Sequence, residues 1–102
     1  MVTISLCMIV KNEERVLGRC LESVQEIADE IIIVDTGSED RTKEIAEKYH
    51  ARVFEQEWQD DFSRARNYSF SHAEMDYCMW LDADDIITKS EALKLKRWKE
   101  ET

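Results

Sequence analysis

The chain has 102 residues, 43% of them hydrophobic, which suits one small folded domain and excludes a disordered segment. Its 23 acidic and 14 basic residues give a net charge of -9. That excludes a nucleic-acid or anionic-membrane surface, because both require a basic footprint. Cys7, Cys20 and Cys78 form no C-x-x-C pair, so neither a zinc site nor a redox motif is indicated, and they read as reduced thiols packed like small apolar residues. No basic-then-apolar leader is visible, and no apolar run approaches the roughly 18–20 residues of a transmembrane segment. The compartment reads as cytoplasmic.

Residues 2–10 are rich in β-branched and apolar side chains and read as a strand. From Glu13 to Val24 the residues Val16, Leu17, Cys20, Leu21 and Val24 recur with helical period. Ile31-Ile32-Ile33-Val34 is an unbroken apolar run ending in Asp35, as suits a parallel strand covered on both faces. The turn Thr36-Gly37-Ser38-Glu39-Asp40 leads into a helix whose inner stripe is Thr42, Ile45, Ala46 and Tyr49, with Ser38 and Asp40 as N-cap candidates.

Arg52 to Glu55 reads as a third strand, Phe62 to Ala73 as a helix, and Tyr77 to Leu81 as a fourth strand. Thr88 and Glu91 then make a capping-box pattern for a last helix through Trp98. The alternation predicts an α/β fold, a Rossmann-like, mainly parallel open sheet with flanking helices.

Ligands of such sheets bind beyond the carboxyl ends of the strands. Three polar clusters fall there: Lys11-Asn12-Glu13-Glu14, Asp35-Thr36-Gly37-Ser38 and Asp82-Ala83-Asp84-Asp85. Any one of them is ordinary turn chemistry, but three on one edge point to a site. On an extended segment Asp82 and Asp84 project to the same side. Paired carboxylates repel unless a proton or cation sits between them, and an all-oxygen set favours Mg²⁺ or Mn²⁺. An acidic turn capping the next helix is the plainer alternative for an isolated D-x-D. Its place directly after Met79-Trp80-Leu81 favours the metal.

Asp35 suits a turn before Thr-Gly-Ser, and is equally placed to accept hydrogen bonds from a ribose or a base. The absence of G-x-G-x-x-G after the first strand argues against NAD. Arg66 falls within the helical stripe of Phe62, Ala65, Phe70 and Ala73, whereas Arg64 points the opposite way. An arginine facing the sheet either snorkels to the edge or meets an anion, and a phosphate or site carboxylate is the better partner. His50 and His72 read as surface residues, Trp58, Trp80 and Trp98 as packing, and the lysines of residues 94–99 as the polar side of the terminal helix. Trp58, in the loop before Arg66, is also placed to touch a ligand.

Four segments carry a family resemblance. Residues 4–14, ISLCMIVKNEE, resemble the opening of family 2 glycosyltransferases with the GT-A fold, and residues 33–40, IVDTGSED, resemble their second motif. Residues 61–67, DFSRARN, and 80–85, WLDADD, resemble the third and fourth. The chain is most like bacterial members that carry tetratricopeptide repeats or modify peptides.

The resemblance implies a nucleotide-sugar donor, a UDP-sugar above others, with Mn²⁺ or Mg²⁺ as cofactor. Asp35 would contact the base or ribose, with Asn12 and Glu13 nearby. Asp82 would approach the ribose and stand beside Asp84 at the metal, Asp84 would hold the ion bridging the diphosphate, and Arg66 would lie by the nucleotide or its phosphates. Ile9 and Lys11 replace a proline and an aromatic residue common in the family, which leaves the base contact open.

The family's acceptor half and catalytic base lie beyond the D-x-D, and 17 residues follow Asp85. The expectation is therefore a single truncated donor-binding domain over residues 1–102, with no catalytic base of its own. In the expected strand order 3-2-1-4 the fourth strand is left at an edge, which favours a homo-oligomer. Two rival readings are a non-enzymatic binding or assembly module on the same fold, and a phosphohydrolase with Asp82 as nucleophile and Asp84 as acid/base.

Overall fold

A computed structural model describes residues 1–58 and 61–102. Four strands, β1 (Ile4–Val10), β2 (Glu30–Asp35), β3 (Arg52–Glu55) and β4 (Tyr77–Trp80), form one sheet in the order β3-β2-β1-β4. Every pairing is parallel, with Met8 opposite Ile33, Val34 opposite Phe54 and Leu6 opposite Met79. Four helices alternate with them: α1 (Leu17–Val24), α2 (Thr42–Lys48), α3 (Phe62–Ser71) and α4 (Lys89–Glu101). This is the Rossmann-like sheet, in the strand order expected. No described helix is long and apolar enough to cross a membrane.

The two central strands are buried almost throughout because both faces are covered. Leu6, Met8, Val10, Ile31 and Ile33 meet Leu17, Cys20, Leu21 and Val24 of α1 and Ala46 of α2. The opposite face carries α3, whose Ala65 and Ser69 are its buried positions. These small residues let the helix lie close to the strands, and the Cys7 thiol donates to the Ser69 carbonyl at 3.9 Å. The inner face of α3 is thus set by Ala65 and Ser69, not by the aromatic stripe. Phe62 stays half exposed and Arg66 is exposed with its guanidinium over the Phe62 ring, correcting the expectation that Arg66 faces the sheet: it lies at the rim of that face.

Other boundaries move for local reasons. The first helix starts at Leu17 and not at Glu13, because the amides of Glu13 and Glu14 donate to Thr42 Oγ1 (2.8 Å) and Asp40 Oδ2 (3.3 Å) across the loop. Asp40 accepts from the Thr42 amide at 2.9 Å, whereas Ser38 accepts from the Asn12 amide and does not cap α2. Thr88 does cap α4, accepting from the Glu91 amide at 3.2 Å. Lys99 departs from the polar side assigned to it: its ammonium is buried and donates to the Ile27 carbonyl (2.8 Å) and to Asp29 (2.7 Å). His72 is half-buried, stacked on Phe54 at 3.7 Å, and Cys78 is exposed rather than packed.

Candidate functional site

The carboxyl edge of the sheet is built from three loops. After β1 the chain turns at Asn12, which takes a left-handed φ of 54°, a conformation asparagine tolerates better than most residues. The Asn12 amide donates to Ser38 Oγ at 2.9 Å, and its side-chain oxygen accepts from the Glu39 amide at 2.8 Å. With the bonds from Glu13 and Glu14, the loops after β1 and β2 are zipped together. Asn12 therefore acts through the loop, since its carboxamide oxygen is already engaged. Glu13 is half-buried, and its carboxylate has no hydrogen-bond partner among the described residues.

Asp35 ends β2 and is 1% exposed. One carboxylate oxygen accepts from the amides of Gly37 (2.9 Å) and Ser38 (2.8 Å), which fixes the turn. Gly37 has a φ of 113°, a region that a side chain rarely enters. The other oxygen, Oδ2, is buried and has no partner among the described residues. Buried polar atoms are ordinarily paired, so this oxygen is an acceptor in want of a donor. Beside it a cavity of about 370 Å³ opens between residues 35–38, Lys43 and residues 55–58. Lys43 forms an ion pair with Glu55. That hydrogen bond and charge raise the lysine's pKa, and the Asp35 carboxylate adds to the effect.

Beyond β4 the chain leaves extended geometry at once. The expectation that Asp82 and Asp84 align as alternate residues of a strand is corrected: they converge through a turn. The Asp85 amide donates to the Asp82 carbonyl at 3.0 Å, and the Asp82 amide donates to Asp85 Oδ2 at 2.9 Å. Ala83 is 5% exposed and belongs to the core, so the turn folds around an apolar pin.

The result places one carboxylate oxygen each from Asp82, Asp84 and Asp85 within 4.8 Å of one another. Asp85 joins a pair that the D-x-D pattern alone named, and the run of three acids in four residues carried that information. Below the turn the buried Cys20 thiol is pushed up to about 11, first by burial and then by the charges of Asp85, Asp84 and Asp82.

Three clustered carboxylates form a hard, oxygen-only donor set, which fits Mg²⁺ or Mn²⁺. Two strand spacings, about 10 Å, separate β2 from β4, so Asp35 and the acidic turn stand on the same edge of the sheet with β1 between them. Arg66 lies with its guanidinium 5.9 Å from the centroid of Phe62, which in turn meets Trp80 edge-on at 5.7 Å. Among the described residues it pairs with no carboxylate, and it sits near the strand that leads into the turn. A larger groove of about 660 Å³ between α1 and α4, lined by Arg19, Glu22, Leu93 and Lys96, holds none of these residues.

A parallel open sheet with its acidic groups gathered beyond the strand ends defines a Rossmann-like ligand-binding domain of the GT-A kind. The chain belongs to glycosyl transferase family 2, whose model matches residues 5–101. It is 46% identical over 100 residues to a TPR repeat-containing protein of Synechococcus elongatus, covering 98% of this chain and 23% of that one. It is 32% identical over 97 residues to the SPbeta prophage-derived glycosyltransferase SunS of Bacillus subtilis, covering 93% and 23%.

Among solved structures it resembles glucosyl-3-phosphoglycerate synthase from Mycobacterium tuberculosis in complex with Mn²⁺, UDP and phosphoglyceric acid. The TM-score is 0.71 at 26% identity, covering 83% of this chain and 34% of that one. The chain thus spans about a quarter to a third of the length of these relatives. Family membership sets aside the phosphohydrolase reading.

Proposed function

We propose that this chain is the donor-binding half of a metal-dependent glycosyltransferase, holding a nucleoside-diphosphate sugar with Mn²⁺ or Mg²⁺. The observation that carries the reading is the pairing, on one sheet edge, of a buried Asp35 oxygen that has no partner among the described residues with the convergent carboxylates of Asp82, Asp84 and Asp85. Asp35 accepts a hydrogen bond from an N–H of the base or a ribose hydroxyl, while its other oxygen keeps the turn closed. Asn12 and Glu13 stand next to the Asp35 turn and hold its loop through Ser38, Glu39 and Thr42, and Arg66 supplies a cation by the nucleotide. Asp84 and Asp85 would hold the ion, with Asp82 beside them placed to approach the ribose as well. When bound, the ion neutralises the diphosphate, which the acidic edge would otherwise repel.

UDP is the favoured nucleotide, supported by the Mycobacterium tuberculosis enzyme, whose structure contains UDP and Mn²⁺. Calorimetry with UDP, with Mn²⁺ or with chelator, tests the reading. Nucleotide binding should require the metal. Asp84→Asn should weaken metal and nucleotide together by at least about tenfold. Asp82→Asn should weaken UDP more than the metal. Equal UDP affinity with Mn²⁺ and with chelator would overturn the bridging arrangement, and unchanged binding in Asp84→Asn would remove Asp84 from it.

A further inference from the structure

The acidic turn has to be held against its own charge. Three carboxylates within 4.8 Å repel one another, and all three are exposed, so a turn left to itself would splay. Two internal hydrogen bonds and buried Ala83 close it. Two further contacts come from a different element, α1, directly beneath it. The Cys20 thiol donates to the Asp82 carbonyl at 3.7 Å. Ser23 Oγ accepts from the Ile87 amide at 3.2 Å, where the chain leaves the turn. The Ser23 hydroxyl proton is committed elsewhere, donated to the Cys20 carbonyl at 2.6 Å, so its lone pairs are left to face Ile87. Cys20 and Ser23 therefore grip both ends of the segment from residue 82 to residue 87.

We propose that Ser23, with Cys20, is a positioning residue for the divalent cation, bracing the Asp82–Asp85 turn from α1 so that its carboxylates stay convergent before the ion arrives. The proposal rests on the metal-binding reading above. Without the Ser23 oxygen, the exit of the turn keeps the packing of Ile87 on the core and the cap of α4 but loses its backbone tie to α1, and cation binding must first gather carboxylates that repel. Neither residue touches the ion. The effect reaches it through the backbone, as supporting contacts behind metal ligands commonly do.

The test measures Mn²⁺ affinity on the 102-residue protein by electron paramagnetic resonance of free Mn²⁺, beside thermal unfolding followed by circular dichroism. Ser23→Ala should weaken Mn²⁺ by about tenfold, while Ser23→Thr, which keeps the hydroxyl, should stay near the parent. In the unmutated protein the Ile87 amide should exchange slowly with deuterium, and more slowly still with Mn²⁺ present. That last measurement needs no variant to fold. Parent-like Mn²⁺ affinity in a folded Ser23→Ala protein, or an unprotected Ile87 amide with Mn²⁺ bound, would overturn the brace and leave the metal site standing. Absence of saturable Mn²⁺ binding to the unmutated protein would overturn the metal reading and the brace with it.

Discussion

At the scale of single residues, Asp35 shows how one carboxylate serves two purposes. Oδ1 closes a turn that Gly37 makes possible, and Oδ2 is left buried without a donor among the described residues. Asp35→Asn separates the two roles, because the amide oxygen can still accept from Gly37 and Ser38 while the NH₂ replaces the free acceptor. A hydrogen bond to a charged group is worth about 1.5–3 kcal/mol, so UDP affinity with Mn²⁺ should fall by roughly 10–100-fold. The melting temperature should move little. Calorimetry and thermal unfolding of the variant check both, and unchanged UDP affinity would take Asp35 out of the site. The position of Asp35 was legible from an apolar run ending in an acid. Its division of labour was not, since only the fold shows which oxygen the loop consumes. Asn12 makes the same point: its residue type suggests a polar site residue, and only the fold shows that its carboxamide oxygen and backbone amide join the loops after β1 and β2.

At the scale of elements, apolar patterning placed the two central strands and the first three helices, because buried strands and amphipathic helices write their burial into the sequence, and the capping box of Thr88 and Glu91 placed the last helix. Boundaries failed where side chains intercept backbone amides, as Thr42 and Asp40 do at the start of α1. Lys99 failed for a different reason. It continues the half-buried stripe of Ala92 and Leu95 at helical spacing, but its residue type argued for solvent. What buries it is a partner set remote in sequence, Ile27 and Asp29, brought under α4 by the sheet. Lys99→Met keeps the stem and removes both hydrogen bonds, so it should cost about 1.5–3 kcal/mol. For a domain of this size the melting temperature should fall by roughly 10 °C. Thermal unfolding checks this, and a shift within about 2 °C would show that α4 is held by other contacts.

At the scale of the whole molecule, the ties between elements run through ionisable groups, which makes stability a function of pH. Partial burial works against the charged forms of Asp29 and Glu30. Hydrogen bonds outweigh it, from Lys99 and the Ile4 amide for Asp29, and from Ser5, the Glu74 amide and Arg52 for Glu30. Both carboxyls are held below their ordinary values. A group lowered on folding contributes fully above its unfolded pKa, about 4 for a carboxyl, and loses that contribution as pH falls through the folded value.

The Cys7 thiol, pushed up to about 12 by burial and by neighbouring Cys78, acts in the opposite sense. Its contribution is complete below the unfolded value of 9.0 and is lost as pH rises toward 12. Urea midpoints measured by circular dichroism should therefore form a plateau between about pH 5 and pH 9 and fall on both sides. Asp29→Asn should make the acid limb shallower without touching the alkaline one, and Cys7→Ala the reverse, with Glu30 and Cys20 keeping the rest of each limb. The net charge of -9 adds a self-repulsion that added salt screens, so high salt should raise the plateau without moving its edges. An acid limb unchanged in Asp29→Asn would show that the tie between α4 and the start of β2 does not set acid stability.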